Sequence, residues 1–185
     1  MRVIAGTARS LPLKTIDGPE TRPTTDRIKE TLFNMLQMDV PGCRFLDLYA
    51  GSGAIGIEAL SRGARQSVFV EHNPKAAQCI RENLEFTKLA DRAVVMNTEV
   101  LTALQRLKGK NDVFDIVFMD PPYQDGAEPE VLRLLKDAGI ADAGTLIVIE
   151  ASLDNRFLWL EESGYHMERA KKYKTNQHVL IRMTE

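Results

Sequence analysis

The chain has 185 residues, 44% hydrophobic and 27% charged, a balance that suits one soluble domain with a sizeable core. No apolar run approaches the roughly 20 residues a membrane-spanning helix needs, and Met1-Arg2-Val3-Ile4-Ala5-Gly6 lacks the apolar centre of a signal peptide. Two cysteines, Cys43 and Cys79, exclude a four-thiolate zinc site and fit no redox spacing, so a reducing cytoplasm is the expected location.

A net charge of −2 gives no global sign of nucleic-acid binding, but the charges are unevenly spread. Arg2, Arg9 and Lys14 occur without an acid in residues 1–16, and Arg169, Lys171, Lys172 and Lys174 cluster near the other end. Such clusters can form a local phosphate-binding face, with a plain solvated surface as the alternative.

Val3-Ile4-Ala5 and Leu11–Ile16 read as short extended pieces, followed by turn chemistry at Asp17-Gly18-Pro19. Thr24 or Thr25 can cap a helix whose apolar face is Ile28, Leu32, Phe33 and Leu36, and Pro41-Gly42 closes this preface. We expect an N-terminal arm and helix over residues 1–41 and a main domain over 42–185. From Cys43 onward, strand-length apolar runs at 44–48, 66–71, 93–97, 114–119 and 145–150 alternate with helical patterns at 54–62, 74–89, 100–108 and 128–138. Alternation of this kind predicts a doubly wound α/β fold with a mostly parallel sheet. Tyr165–Lys172 and Gln177–Met183, separated by Tyr173-Lys174-Thr175-Asn176, read as a hairpin. An antiparallel C-terminal pair would therefore complete a seven-stranded, Rossmann-like sheet.

The first chemical signal follows the first strand. Gly51-Ser52-Gly53-Ala54-Ile55-Gly56 fits G-x-G-x-x-G, with Glu71 at the end of the second strand. The pattern admits NAD, S-adenosylmethionine or a tight turn with no ligand. Asp47 separates the first two: a carboxylate at the end of the first strand repels a pyrophosphate but attracts an ammonium and a sulfonium. Asp47 and Glu71, the latter for ribose hydroxyls, thus favour S-adenosylmethionine. After the third strand, Glu99 is a candidate for the adenine amino group beside Val100, or else an acid placed by the helix dipole.

The second signal, Asp120-Pro121-Pro122-Tyr123, is more specific. Both prolines lack backbone donors, so the turn presents carbonyls and a carboxylate beside an aromatic plane. This corner suits a flat base bearing an exocyclic amine, which hydrogen-bonds to Asp120 and a proline carbonyl while stacking on Tyr123. In a doubly wound sheet, Asp47 and Asp120 end the strands between which the order reverses, where ligands bind. Acceptors held out of the ring plane make the amine nitrogen more pyramidal, and Asp120 stabilises the positive charge it acquires.

Together these loops resemble those of the class I S-adenosylmethionine-dependent methyltransferases. More closely, Arg22–Asn34, Asp47–Gly53 (with Tyr49, Gly51 and Ser52 in the loop) and Asp120–Tyr123 resemble the RsmD-type enzymes, which methylate N2 of guanine 966 in 16S ribosomal RNA. That resemblance implies catalytic residues Asp120, Pro121, Pro122 and Tyr123. Arg2, Arg9, Arg22 and Arg27 would contact RNA, and Thr24 and Thr25 would border the cleft. Where the family carries a basic glycine-rich stretch after its first strand, this chain has Ala8-Arg9-Ser10-Leu11. An exposed RNA loop would present an unstacked guanine without duplex opening. The resemblance implies a metal-independent, monomeric enzyme acting on 16S RNA or the small-subunit particle, away from membranes. A DNA adenine-N6 or cytosine-N4 methyltransferase, another RNA amino-methyltransferase, a nicotinamide oxidoreductase and a non-catalytic binding module are the rivals. His72, His166 and His178 lack metal-ligand spacing and read as surface or strand residues, and Phe157, Trp159 and Leu160 read as a helix stripe.

Overall fold

A computed structural model describes residues 1–16, 25–110, 112–123 and 126–184. Helix α1 (Asp26–Met35) begins where Thr25 Oγ1 accepts a hydrogen bond from the Ile28 N–H at 3.3 Å, which makes Thr25 the N-cap. Arg22 and Thr24 lie outside the described residues. Strands β1 (Arg44–Leu48), β2 (Gln66–Val70), β3 (Ala93–Met96), β4 (Ile116–Met119) and β5 (Leu146–Ser152) are parallel, and β6 (Tyr165–Lys172) and β7 (Asn176–Met183) form the antiparallel end. The sheet order is β3-β2-β1-β4-β5-β7-β6, so the reversal falls between β1 and β4.

Helices cover both faces because the central strands β1, β2, β4 and β5 are apolar on both. On one face α4 (Val100–Leu107) and α5 (Glu128–Asp137) pack on Leu46, Leu48, Val68, Val117, Met119, Ile147, Val179 and Ile181. On the other, α1, α2 (Ala54–Ser61) and α3 (Pro74–Thr87) pack on Phe45, Phe69, Phe118, Val148 and Leu180. Val3, Ala8 and Leu13 of the N-terminal arm belong to this second layer. Arg2 and Pro12 bridge antiparallel, and Val3 N–H donates to the Leu11 carbonyl at 3.0 Å, so the arm folds back on itself.

One expectation fails. The segment carrying Phe157, Trp159 and Leu160 is a series of turns and not a helix. Phe157 has φ 52°, a left-handed conformation that breaks a helical run. Burial survives the change: Phe157 and Leu160 are in the core and Trp159 packs against it, 5.7 Å from the Phe157 ring. Strand β4 also starts later than its apolar run, because Phe114 bonds to Ile140 and the Asp115 carboxylate takes the Arg44 N–H. No helix among the described residues is long and apolar enough to cross a membrane.

Candidate active site

The glycine loop is built by left-handed backbone and close packing. Gly53, at φ 81°, is the N-cap of α2, and its N–H donates to the Ala50 carbonyl at 2.8 Å. A Cβ on Gly56 would lie 2.3 Å from the Phe69 ring, so this glycine lets α2 settle against β2. Asp47 lies one residue before the end of β1, beneath the loop rather than on its rim, and is 1% exposed. Its Oδ2 accepts the Gly56 N–H at 2.9 Å. Burial pushes the Asp47 carboxyl up to about 7; the Gly56 hydrogen bond opposes this, and the charge of Glu71 adds to it.

Glu71 follows β2 and bridges two backbone segments. One oxygen accepts the Gly51 N–H and the other the Asn73 N–H, both at 2.8 Å. Asn97, after β3, donates to the carbonyls of Glu71 (2.8 Å) and His72 (2.9 Å) and joins the ends of the two strands. Ser52 is tied in from below, its carbonyl accepting from Asn83 of α3 at 3.0 Å. Glu99 is exposed at the N-cap of α4 and makes no capping hydrogen bond with its side chain, while Val100 is buried. The two acids closest to the loop, Asp47 and Glu71, suit a cationic ligand and oppose a pyrophosphate.

The second corner stands beside the first. Leu48 pairs with Met119, so Tyr49 and Asp120 leave adjacent strand ends into one crevice. Tyr49, at φ 62°, turns to pack against the layer under α4 and α5. Pro121 is buried and Pro122 exposed, while Tyr123 is 47% exposed, a large aromatic surface beside the acid. Asp120 is half-buried. Its carboxyl is raised well above the usual carboxylate range, by burial first, then by Glu150, then by Asp47.

Sequence reasoning passed over Glu150. Met119 pairs with Ile149, so Glu150, two residues before the end of β5, sits beside Asp120 and is 7% exposed. It accepts from Asn176 Nδ2 at 2.6 Å and lies 3.0 Å from Nε2 of His178, which is fully buried. His178 Nδ1 is in turn 3.1 Å from the Tyr173 hydroxyl. Burial pushes the Tyr173 phenol up to about 12, with Glu150 adding and Arg169 opposing. Glu150 carries the signal that marks Asp120, an acid after an apolar run. His178 carried none, because only the register of β7 against β5 brings it opposite Glu150.

The arm presents its expected cations unequally. Arg2 is exposed and pairs with Asp26, Nε to Oδ2, at 3.3 Å; Arg9 and Arg27 are exposed, and Thr25 is spent on its cap. Arg2 and Arg9 belong to the arm and Arg27 to the first turn of α1. Among the described residues no group of three or more His, Cys, Asp or Glu side chains is arranged to hold a metal ion.

Comparison with known proteins agrees with this geometry. The family model described as conserved hypothetical protein 95 matches residues 1–182. Ribosomal RNA small subunit methyltransferase D of Escherichia coli K12 is 39% identical over 155 residues, covering 84% of this chain and 76% of that protein. Its namesake in Haemophilus influenzae is 36% identical over 155 residues, covering 83% and 80%. A solved hypothetical protein of Thermus thermophilus superposes with a TM-score of 0.82 at 32% identity, over 97% of this chain and 98% of that one. With its reversal between β1 and β4, its glycine loop and its Asp-Pro-Pro-Tyr corner, the chain belongs to the conserved hypothetical protein 95 family, the RsmD-type methyltransferases of the class I, S-adenosylmethionine-dependent fold.

Proposed function

We propose that this protein transfers a methyl group from S-adenosylmethionine to the exocyclic N2 amine of a guanine in small-subunit ribosomal RNA, guanine 966 by its resemblance to the RsmD-type enzymes. The observation that carries the reading is the Asp120-Pro121-Pro122-Tyr123 corner on the strand next to the glycine loop. The names of the Escherichia coli and Haemophilus influenzae relatives support ribosomal RNA as the substrate class.

Bound over the glycine loop, S-adenosylmethionine supplies a methyl group on a cationic sulfur. The protein's part is to hold the amine and manage charge. Asp120 and the Pro121 carbonyl accept the two N–H bonds of the amino group and keep its lone pair out of the ring plane, and Tyr123 stacks on the base, a contact worth about 1–3 kcal/mol. As the nitrogen lone pair bonds the methyl carbon, the carbon–sulfur bond would break with its electrons left on a now neutral sulfur, and positive charge would grow on nitrogen beside Asp120. The N–H bond then breaks and its proton passes to Asp120. A carboxylate in a half-buried, acid-flanked position holds a proton better than one in water, which suits it to this step. Glu71 would take the ribose hydroxyls of the cofactor, and Asp47, beneath the loop, would favour its cationic part by charge.

The test is labelled methyl transfer from S-adenosylmethionine to small-subunit particles from a strain lacking this protein, followed by digestion to nucleosides. N2-methylguanosine is the expected product. Label on another base, or none on any RNA, overturns the reading.

Asp47 gives a second expected result. Its raised value means the free protein holds a proton there that the unfolded chain, with a carboxyl near about 3.9, has lost. Stability of the free protein therefore falls as pH rises from about 4 towards about 7. A cationic ligand favours the ionised form, so its binding releases that proton. Affinity for S-adenosylmethionine should rise with pH, by up to about tenfold per unit below 7, and level off above. Calorimetric titration at several pH values checks this, and Asp47→Asn should remove the rise that Asp47 causes.

A further inference from the structure

We propose that Arg169 and Lys171, on the edge strand β6, form a second RNA-contacting surface that holds the backbone of the single strand flanking the target guanine. The inference rests on the functional reading above and adds an element at the end of the sheet away from the glycine loop.

Three observations carry it. The first is register. Glu150 pairs with His178 across β5 and β7, and His178 pairs with Lys171 across β7 and β6. Directly opposed residues of an antiparallel pair share a face, so Lys171 continues the line that begins at Asp120 and runs through Glu150 and His178. At about 4.8 Å per strand, Lys171 stands about 14 Å from the Asp120 strand end, within reach of phosphates next to a splayed-out base. Arg169 pairs with Leu180, whose side chain belongs to the layer under α1, α2 and α3, and so lies on the same face. Lys172 pairs with Gln177 and takes the opposite face.

The second observation is that these charges are available. Arg169 and Lys171 are exposed, and among the described residues neither makes an ion pair. The adjacent acid, Glu168, is already taken by Arg182 at 2.8 Å. In a chain of net charge −2, residues 169–174 hold four cations and no acid.

The third is rigidity. The turn that follows β6 is closed by Tyr173 N–H to the Asn176 carbonyl at 2.8 Å. Tyr173 is then fixed through His178 to Glu150, next to the corner. Cations on a strand held this way lose little freedom when they meet a phosphate. Edge lysines also discourage strand-to-strand association, but that role does not depend on which face they occupy, and this one does.

The experiment is face-resolved. The double variant Arg169→Gln, Lys171→Gln is compared with Lys136→Gln, Lys172→Gln, whose residues lie on α5 and on the opposite face of β6. The probe is a small-subunit ribosomal RNA fragment containing an unpaired guanine loop, and binding is read by fluorescence anisotropy over a salt series. For Arg169→Gln, Lys171→Gln we expect Kd and KM to rise about tenfold with kcat within about twofold, and the slope of log Kd against log salt to fall by about 1.4 for two lost single-strand phosphate contacts. The other pair should leave both unchanged. Unaltered affinity and slope in Arg169→Gln, Lys171→Gln, or equal losses in the two double variants, overturn the proposal. Because binding is read apart from methylation, RNA held through these residues without methyl transfer overturns the functional reading and leaves this surface standing.

Discussion

Asp120→Asn should lower kcat for methyl transfer by about 10²–10³-fold, the usual effect of removing one preorganised polar group that meets charge developing in a transition state. The variant keeps shape and one acceptor oxygen but loses the negative charge, so binding of the RNA should change little and the loss should appear in kcat. The pH profile separates this role from a structural one. Asp120 must be ionised to receive the amine, and burial, Glu150 and Asp47 all raise its carboxyl. The acid limb of kcat/KM should therefore lie above the range of an ordinary carboxylate, near about 3.9. Glu150→Gln removes the larger of the two charge contributions. An anion that disfavoured the charged form of Asp120 is then gone, its pKa falls, and the limb should move to lower pH. The glutamine can be accommodated, because His178 can present a lone pair at Nε2 and donate from Nδ1 to Tyr173. An acid limb that stays in place in Glu150→Gln removes Glu150 from the account, and full activity in Asp120→Asn removes Asp120.

The parts of this crevice that sit at strand ends are legible in the amino-acid pattern alone. Strands buried on both faces leave continuous apolar runs, and an acid in or just after such a run stands out, as Asp47, Glu71 and Asp120 do. The sheet reversal then follows from the alternation of strands and helices, and with it the meeting of the two loops. Other features depend on distance across the fold. That Asp47 lies under the loop, bonded to Gly56, follows from how closely α2 approaches β2, which a pattern of glycines suggests but does not measure. The Glu150–His178 pair depends on which residue of β7 stands opposite which residue of β5, and a slip of one would turn His178 to the other face. The failed helix around Trp159 has a local cause. Apolar spacing at 157, 159 and 160 suits burial in several backbone forms, and the left-handed Phe157 decided among them.

The N-terminal arm supplies the other large effect. Glu58→Ala should lower stability by about 3–5 kcal/mol, the usual result of breaking a buried charge pair by removing one partner. Glu58 is fully buried in α2 and holds three elements at once. Its oxygens accept the N–H groups of Ile4 (2.9 Å) and Ala5 (3.0 Å), Arg62 Nε donates at 2.8 Å, and Lys29 Nζ lies 3.4 Å away. Lys29, from α1, is itself fully buried and donates to the Arg2 carbonyl. Burial lowers the Lys29 pKa and Glu58 is the chief force opposing that, so removing Glu58 leaves a buried ammonium facing Arg62. Burying a side chain such as Val3 or Leu13 contributes about 1.5–3 kcal/mol, so the lost clamp is comparable to the apolar anchoring of the arm, and the arm should lift. Amide exchange at Ile4 and Ala5 should speed up first. For a domain of this size the midpoint of thermal unfolding should fall by about 10 °C. Lys29→Met distinguishes the clamp from the ion pair: Glu58 then keeps Arg62 and both arm N–H groups, so the cost should be about 1 kcal/mol. Equal destabilisation by the two variants would make the ion pair, rather than the backbone clamp, the anchor of the arm. Because Lys14, at the far end of the arm, both donates to and accepts from Asn83, and Asn83 also holds Ser52 of the glycine loop, release at Glu58 should weaken S-adenosylmethionine binding as well as RNA binding. Titrating each ligand into Glu58→Ala measures both.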